Sequence, residues 1–355
     1  MAIWSVSAYR TRTRLSVNLA TSLEFSTARQ LLIRREGPMF RRKSNPLLEP
    51  AAISLIAGGL TIAALEIARR IFRHTQLFCP TRYPIEGKSW NPTDYGIPLD
   101  RTTPVWIDTP DGEKLFGWYL RALKPIASAV FCHGNTGNLT NVASVMPHLL
   151  DAGYNVLLFD YRGFGRSTGR PSLDGVVDDG VTASKFHDAI RPKDLPSILY
   201  GYSLGGGVAA QVLRRHPFDG LILQSTFTSL PELTRVLWPR IPLHLVAGDF
   251  FNTMRVVRKL NVPLLVLHGT ADEVVPCAMA HTLHDACPTA KAIYTVEGGL
   301  HKDLYVRDPD SLVWAMNQFV AQLKPRGAQP AVLDDDEPRR FTLGSVVRSA
   351  PVRHA

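Results

Sequence analysis

Cysteine is scarce in this chain: four residues in 355, too few to staple a small loop-rich fold together. Glycine and proline, 26 of each, follow no fixed period, which excludes a collagen-like architecture. Long apolar runs are scarcer still. One stretch, Ala51–Ala68, holds 18 residues with Glu66 as its sole ionisable group, so a multi-span membrane protein is excluded. A basic folded body is also missing, although the net charge is +9. Residues 1–50 carry +6, residues 51–100 carry +1 and residues 324–355 carry +2, while residues 101–323 hold twenty basic and twenty acidic side chains. A nucleic-acid-binding domain shows its basic excess on the folded body, so no nucleic-acid partner is expected. What the chain has in quantity is apolar material, 45% of its residues, enough to fill the core of one sizeable domain.

Composition divides the chain into five parts. Residues 1–50 are rich in Arg, Ser and Thr and lack a sustained apolar period. They read as a disordered basic leader, with two alternatives: a transit peptide, or an untranslated stretch upstream of a start at Met39. Residues 51–72 read as a hydrophobic helix and single-pass membrane anchor. Eighteen residues make a helix about 27 Å long at about 1.5 Å per residue, barely enough to span. A signal h-region and an amphipathic helix of a soluble protein are the alternatives. Arg and Lys flank the run on both sides, so its orientation is undecided. Residues 73–99 read as a linker, 100–324 as the main folded domain, and 325–355, with the acidic run Asp334–Glu337, as a disordered tail.

From about residue 100, short apolar runs alternate with longer amphipathic stretches. Strands are expected at Val105–Ile107, Leu115–Leu120, Ala127–Cys132, Asn155–Phe159, Ile198–Tyr200, Leu221–Leu223, Pro263–Leu267 and Ala292–Val296. Helices are expected over 139–151, 173–190, 204–215, 277–286 and 310–323. Continuous apolar strands alternating with helices predict an α/β fold, a mostly parallel central sheet covered on both faces. The rhythm breaks over 227–259, where Pro231, Pro239 and Pro242 accompany scattered large apolar residues. This segment is expected to form a short cap insertion.

Gly201-Tyr202-Ser203-Leu204-Gly205 follows an expected strand and opens an expected helix. That is the setting of a G-x-S-x-G nucleophile elbow, a sharp turn that needs small residues on both sides of an exposed serine. A hydroxyl is a weak nucleophile and needs a base oriented by a third group. In this topology the order is serine, acid, histidine. Asp272 stands directly after the strand ending at Leu267, and His301 follows the last strand in Gly298-Gly299-Leu300-His301. Glu273 is the competing acid, since a slip of one residue in the loop exchanges the two. An oxyanion needs backbone N–H donors. Leu204 supplies one, and Asn135, in His133-Gly134-Asn135 after an earlier strand, supplies the expected second. His133 reads as an orienting residue for that loop.

Two further patterns carry no chemistry. Gly163–Arg170 fails both the Walker and the dinucleotide spacing at Thr168. Cys277, His281, His284 and Cys287 lie on one expected helix whose fourth member turns away, a poor metal set.

The runs HGNTGN, FDYRGFGRSTGRPS (Phe159–Ser172), GYSLGG, LHGTADEVVP and GGLH occur in this order. With them the chain resembles the α/β-hydrolase superfamily, nearest to its serine aminopeptidase-like branch. Within that branch it is similar to membrane-anchored hydrolases with one N-terminal hydrophobic segment, a neighbourhood that includes depalmitoylating acyl-protein thioesterases. The resemblance covers roughly residues 100–323. It implies a Ser203–Asp272–His301 triad, an Asn135/Leu204 oxyanion hole, no cofactor and no metal, and a Tyr161–Gly165 loop that is structural. No cysteine cluster precedes the hydrophobic segment, which sets the chain apart from relatives with a palmitoylated N-terminus.

The expected activity is therefore hydrolysis of carboxylic esters or thioesters through an acyl-enzyme, on acyl or lipophilic substrates. Phe227, Leu237, Trp238, Leu243, Phe250 and Phe251 in the cap suggest the lipophilic preference. An aminopeptidase is the alternative and needs a carboxylate for the substrate amine, with Glu232 and Asp249 as the acidic candidates. A non-catalytic interaction protein on the same fold is a third reading. Such a protein loses a member of the triad, and all three candidates are present here.

Overall fold

The computed structural model describes residues 58–59, 62–63, 66–67, 77–237, 239–240 and 248–326. The chain divides into a unit over residues 5–65 and a unit that begins at Glu66. Of the first, residues 58–59 and 62–63 are described, all four helical and exposed. Among the described residues no helix is long and apolar enough to cross a membrane. The expected leader, most of the expected anchor over 51–72, nearly all of the tail, and the cap residues Trp238 and Leu243 lie outside the described residues.

The strands of the second unit are β1 (Cys79–Pro80), β2 (Thr102–Asp108), β3 (Lys114–Leu120), β4 (Ala127–Cys132), β5 (Thr136–Gly137), β6 (Tyr154–Phe159), β7 (Ser197–Tyr202), β8 (Gly220–Gln224), β9 (Leu264–Gly269) and β10 (Lys291–Val296). The helices are α1 (Met146–Asp151), α2 (Leu173–Ile190), α3 (Leu204–Leu213), α4 (Leu230–Leu237), α5 (Thr253–Val257), α6 (Cys277–Ala286), α7 (Leu304–Arg307) and α8 (Pro309–Val320). Eight strands form one sheet in the order β10-β9-β8-β7-β4-β6-β3-β2. The pairs β2·β3 and β3·β6 are antiparallel and the rest are parallel. This is the α/β architecture expected from the sequence, a mostly parallel sheet with helices on both faces.

The side-chain period of two explains why the central strands are apolar throughout. In β6, Leu157 and Phe159 enter one core with Val176 of α2, Val208 of α3 and Leu283 of α6. Their neighbours Val156 and Leu158 enter the opposite core with Leu149 of α1 and Met316 of α8. Every residue of β4, β6, β8 and β9 is buried, whereas edge strand β2 alternates toward solvent. A strand covered on both faces has no polar side to show.

Two segments differ from expectation. Residues 139–151 form two 3-10 turns, Leu139–Asn141 and Ala143–Val145, before the single short α1. Pro147 lies in the first turn of that helix, where its missing N–H costs nothing, but it cannot serve a helix interior. The stretch expected as a linker is built into the domain from Leu77 onward. Leu77 and Phe78 are buried in the core, and β1 pairs in parallel with β5. This pairing fastens the N-terminal side of the unit to the loop that follows β4.

Candidate active site

Three loops at the carboxyl ends of β7, β9 and β10 meet over the sheet, with the β4 loop beside them. Ser203 turns the corner between β7 and α3 with φ 55° and ψ −122°, a conformation L-residues rarely adopt. Its N–H donates to Gln224 O at 2.9 Å and its carbonyl accepts from Gly206 N at 2.9 Å and Thr226 Oγ1 at 2.7 Å. These bonds hold the strain in place. The flanking glycines are required by close approach. A Cβ on Gly205 would sit 2.0 Å from Cys132 O, and one on Gly201 would sit 2.5 Å from Gly206 Cα.

The structure brings the expected acid and histidine to this serine. His301 Nε2 lies 3.0 Å from Ser203 Oγ, and His301 Nδ1 lies 2.9 Å and 3.1 Å from the two Asp272 oxygens. With Nδ1–H donating to the carboxylate, Nε2 is left to accept the serine hydroxyl proton. Ser203 and His301 are both buried. Glu273 does not compete for the ring. Its Oε2 accepts from the His301 backbone N–H at 3.1 Å, while Tyr202 Oη donates to His301 O at 3.2 Å. The imidazole is therefore pinned at its backbone on both sides.

Asp272 Oδ1 also accepts from Val274 N and Val275 N, both at 2.8 Å. Asp272 does not cap the following helix, whose N-cap position is Pro276. A further partner was not assigned from the sequence. His268, wholly buried at the end of β9, places Nε2 2.9 Å from Val275 O and 3.1 Å from Asp272 Oδ2. Both neighbours are acceptors, so Nε2 carries the proton and His268 acts as a donor. The signal for it was the histidine four residues before Asp272 in LHGTAD. Burial pushes the Asp272 carboxyl up. The hydrogen bonds from His268 and His301, the His301 charge and the Val275 N–H outweigh burial and hold it well below the usual carboxylate range.

The β4 loop completes the cluster. Gly134 lies against the nucleophile candidate, where an added Cβ would stand 3.6 Å from Ser203 Cβ. Asn135 is buried, and it is tied down at its side chain and at its carbonyl. Its side chain donates to Leu77 O at 3.1 Å, and its carbonyl accepts from Cys79 N at 2.8 Å. Leu204 is the first residue of α3, one residue beyond Ser203. His133 sets its Nδ1 2.8 Å from Gly134 O and its Nε2 3.4 Å from Asp160 Oδ1. Burial pushes the Asp160 carboxyl up, opposed by His133 and by backbone N–H groups that include Leu139. The Tyr161–Gly165 loop contributes packing and an ion pair. Arg162 bridges buried Asp179 at 2.8 Å and Asp111 at 2.6 Å.

A cavity of about 220 Å³ opens over these groups, with Phe131, His133, Ser203, Gln224 and His301 among its lining. None of the described residues of the cap segment lines it. Phe227 and Phe251 are buried in the core, against α3 at Gly207. Of the apolar cap side chains expected to favour lipophilic substrates, Phe227 and Phe251 are therefore used to pack the cap onto the body. The acidic candidates are engaged as well. Glu232 accepts from Thr228 Oγ1, and Asp249 pairs with Arg255.

The chain matches known proteins along the same stretch. A family model described as serine aminopeptidase, S33, matches residues 124–259. The uncharacterized protein Rv2307c of Mycobacterium tuberculosis is 30% identical over 275 residues, covering 77% of this chain and 94% of that protein. The lysophosphatidylserine lipase ABHD12 of Xenopus tropicalis is 32% identical over 240 residues, covering 60% of this chain and 61% of that one. Among solved structures, the Pyrococcus furiosus esterase Pf2001 superimposes with a TM-score of 0.56 at 20% identity, over 71% of this chain and 99% of that one. That last likeness speaks for the fold, and the alignment along nearly all of the mycobacterial protein speaks for kinship. This chain belongs to the α/β-hydrolase superfamily.

Proposed function

We propose that the chain is a serine hydrolase that cleaves carboxylic ester or thioester bonds through an acyl-enzyme. The observation that carries this reading is the continuous proton path from Ser203 Oγ to His301 Nε2 at 3.0 Å and from His301 Nδ1 to Asp272 at 2.9 Å. In the proposed mechanism Ser203 Oγ attacks the acyl carbonyl as its proton passes to His301 Nε2. Asp272, held ionised, stabilises the imidazolium. The N–H groups of Asn135 and Leu204 take the oxyanion, and the N-terminal end of α3 adds its partial positive charge. Collapse expels the alcohol or thiol with the proton from His301. Water, activated by the same imidazole, then releases the acid and restores the serine. No cofactor or metal enters this cycle.

Ester or thioester cleavage is favoured over N-terminal peptide cleavage by the cavity itself. Among its described lining residues there is no carboxylate to hold a substrate amine. The frog relative, a lysophosphatidylserine lipase, points the same way. The apolar run over 51–72 motivates a second part of the proposal, a membrane tether next to the catalytic unit. The test uses the full chain. Hydrolysis of 4-nitrophenyl esters from short to long acyl chains is compared with cleavage of an aminoacyl 4-nitroanilide, and membranes are extracted at alkaline pH. Ester turnover exceeding amide turnover is the expected result, and the reverse order would favour the peptidase. Release of the protein into the alkaline supernatant would remove the tether.

A further inference from the structure

The mouth of the cavity differs chemically from its floor. The floor is formed by buried groups, among them Phe131, Ser203, Gln224 and His301. The mouth carries exposed donors: Asn141, Ser144 and Lys302. Asn141 Oδ1 is occupied by the Asn138 N–H at 3.0 Å, so the amide presents its NH₂ end. Among the described residues Lys302 has no carboxylate within ion-pair distance. Two acids that bond the backbone beside Lys302 are already engaged. Glu273 accepts from His301 N at 3.1 Å. Asp303 accepts from Leu300 N at 2.7 Å and from Arg307 Nε at 2.5 Å. Those bonds, with Tyr202 Oη on His301 O, fix the backbone on both sides of Lys302 while its ammonium stays uncommitted. Lys302 is thus the one formal cation of a described lining that holds no carboxylate, and it follows His301 directly in the chain.

We propose that Lys302 makes this site selective for acyl esters that bear a negative charge close to the scissile bond, a carboxylate, sulfonate or phosphate on either the acyl or the leaving-group side. The inference rests on the ester-hydrolase reading above and extends it to a substrate class. An ammonium on a fixed backbone beside a partly water-excluded cavity attracts an anion more strongly than a solvated surface lysine does. Asn141 and Ser144 offer neutral donors to the same anion, and no carboxylate stands among the described lining residues beside them. A free amine, the group an aminopeptidase must hold, meets repulsion at the same place.

The test compares the full-length wild type with Lys302→Ala, Lys302→Glu and Lys302→Arg on three matched esters. These are 4-nitrophenyl valerate, mono-4-nitrophenyl glutarate, whose acyl chain ends in a carboxylate, and the valerate ester of 4-hydroxybenzenesulfonate, whose leaving group is charged. The reading is the ratio of kcat/KM for each charged ester to that for the neutral one. Lys302→Glu is expected to lower at least one ratio by about tenfold or more, chiefly through KM for the charged ester, with Lys302→Ala between and Lys302→Arg close to wild type. Raising salt from about 50 to about 500 mM should erode the wild-type ratio and leave that of Lys302→Ala level. The glutarate arm reports an acyl-side anion and the sulfonate arm a leaving-group anion. Ratios equal in wild type and Lys302→Glu overturn the proposal while the neutral ester is still cleaved. A wild type that cleaves none of the three overturns the hydrolase reading and this inference together.

Discussion

Two histidine–aspartate pairs flank the same cavity, and they have opposite electrostatic fates. In His301–Asp272 the carboxylate receives two backbone N–H groups at 2.8 Å, the His301 ring at 2.9 Å and His268 at 3.1 Å. In His133–Asp160 the carboxylate takes Leu139 N at 2.6 Å, but the imidazole stands off at 3.4 Å. Neither His133 Nε2 nor Asp160 Oδ2 has a hydrogen-bond partner among the described residues. Burial raises both carboxyls, and only at Asp272 do the donors outweigh it. The contrast shows that a buried carboxylate's charge is set by how many donors converge on it, not by the presence of a neighbouring histidine. It also separates the roles: one pair ends at a hydroxyl, and the other ends at a backbone carbonyl that shapes a loop.

The comparison is broken most forcefully by making both acids neutral. Asp272→Asn should lower kcat by about 10³–10⁴, because the amide favours the wrong imidazole tautomer. Asp160→Asn keeps an acceptor for Leu139 N and should lower kcat by less than about tenfold. Similar losses in the two variants, measured on one ester, would refute the division of roles. The next largest effect is expected at His268. A hydrogen bond to a charged group is worth about 1.5–3 kcal/mol, so His268→Leu should lower kcat by about tenfold or more with KM little changed. His268→Gln, whose amide N–H replaces the donor, should recover most of that loss. Equal kcat in both variants would remove His268 from the positioning of Asp272.

The smallest effect lies in stability against pH. The Asp272 pKa is depressed on folding, so its contribution is complete above the unfolded value of about 3.9 and is lost as pH falls toward the folded value. The Asp160 pKa is raised, so its contribution is present below about 3.9 and is lost as pH rises through the folded value. Urea unfolding of the two Asn variants between about pH 3 and pH 7 should therefore deviate from wild type with opposite slopes, each at most ~1.4 kcal/mol per pH unit. Slopes of the same sign would contradict the opposite shifts.

Much of this was legible in residue order. Each expected strand has ends within three residues of an observed one, because an apolar run covered on both faces has one simple solution in an α/β chain. Ser203, Asp272 and His301 were legible because each sits where a strand's carboxyl end meets a loop. The 139–151 region was not, since its apolar spacing fits a helix while Pro147 and the Asn138 cap, which accepts from Thr140 N at 2.9 Å, divide it into separate turns. The built-in segment from Leu77 was hidden by proline and glycine content that suits a linker, although Leu77 and Phe78 end up in the core. His268 was hidden for a different reason: its partner lies one turn of loop away, and periodicity says nothing about where a ring nitrogen points. The cap residues Phe227 and Phe251 were seen as apolar, but whether an apolar side chain faces a ligand or the body depends on packing that sequence spacing does not record.

The central claim is that Ser203 is the group that becomes acylated. The direct measurement is mass spectrometry of the full-length protein after reaction with a fluorophosphonate and, separately, after rapid acid quench during turnover of a 4-nitrophenyl ester. The account predicts one adduct per chain, on the peptide that contains Ser203, absent from Ser203→Ala and strongly slowed in His301→Ala. An adduct on any other residue, or equal labelling of wild type and Ser203→Ala, would contradict it.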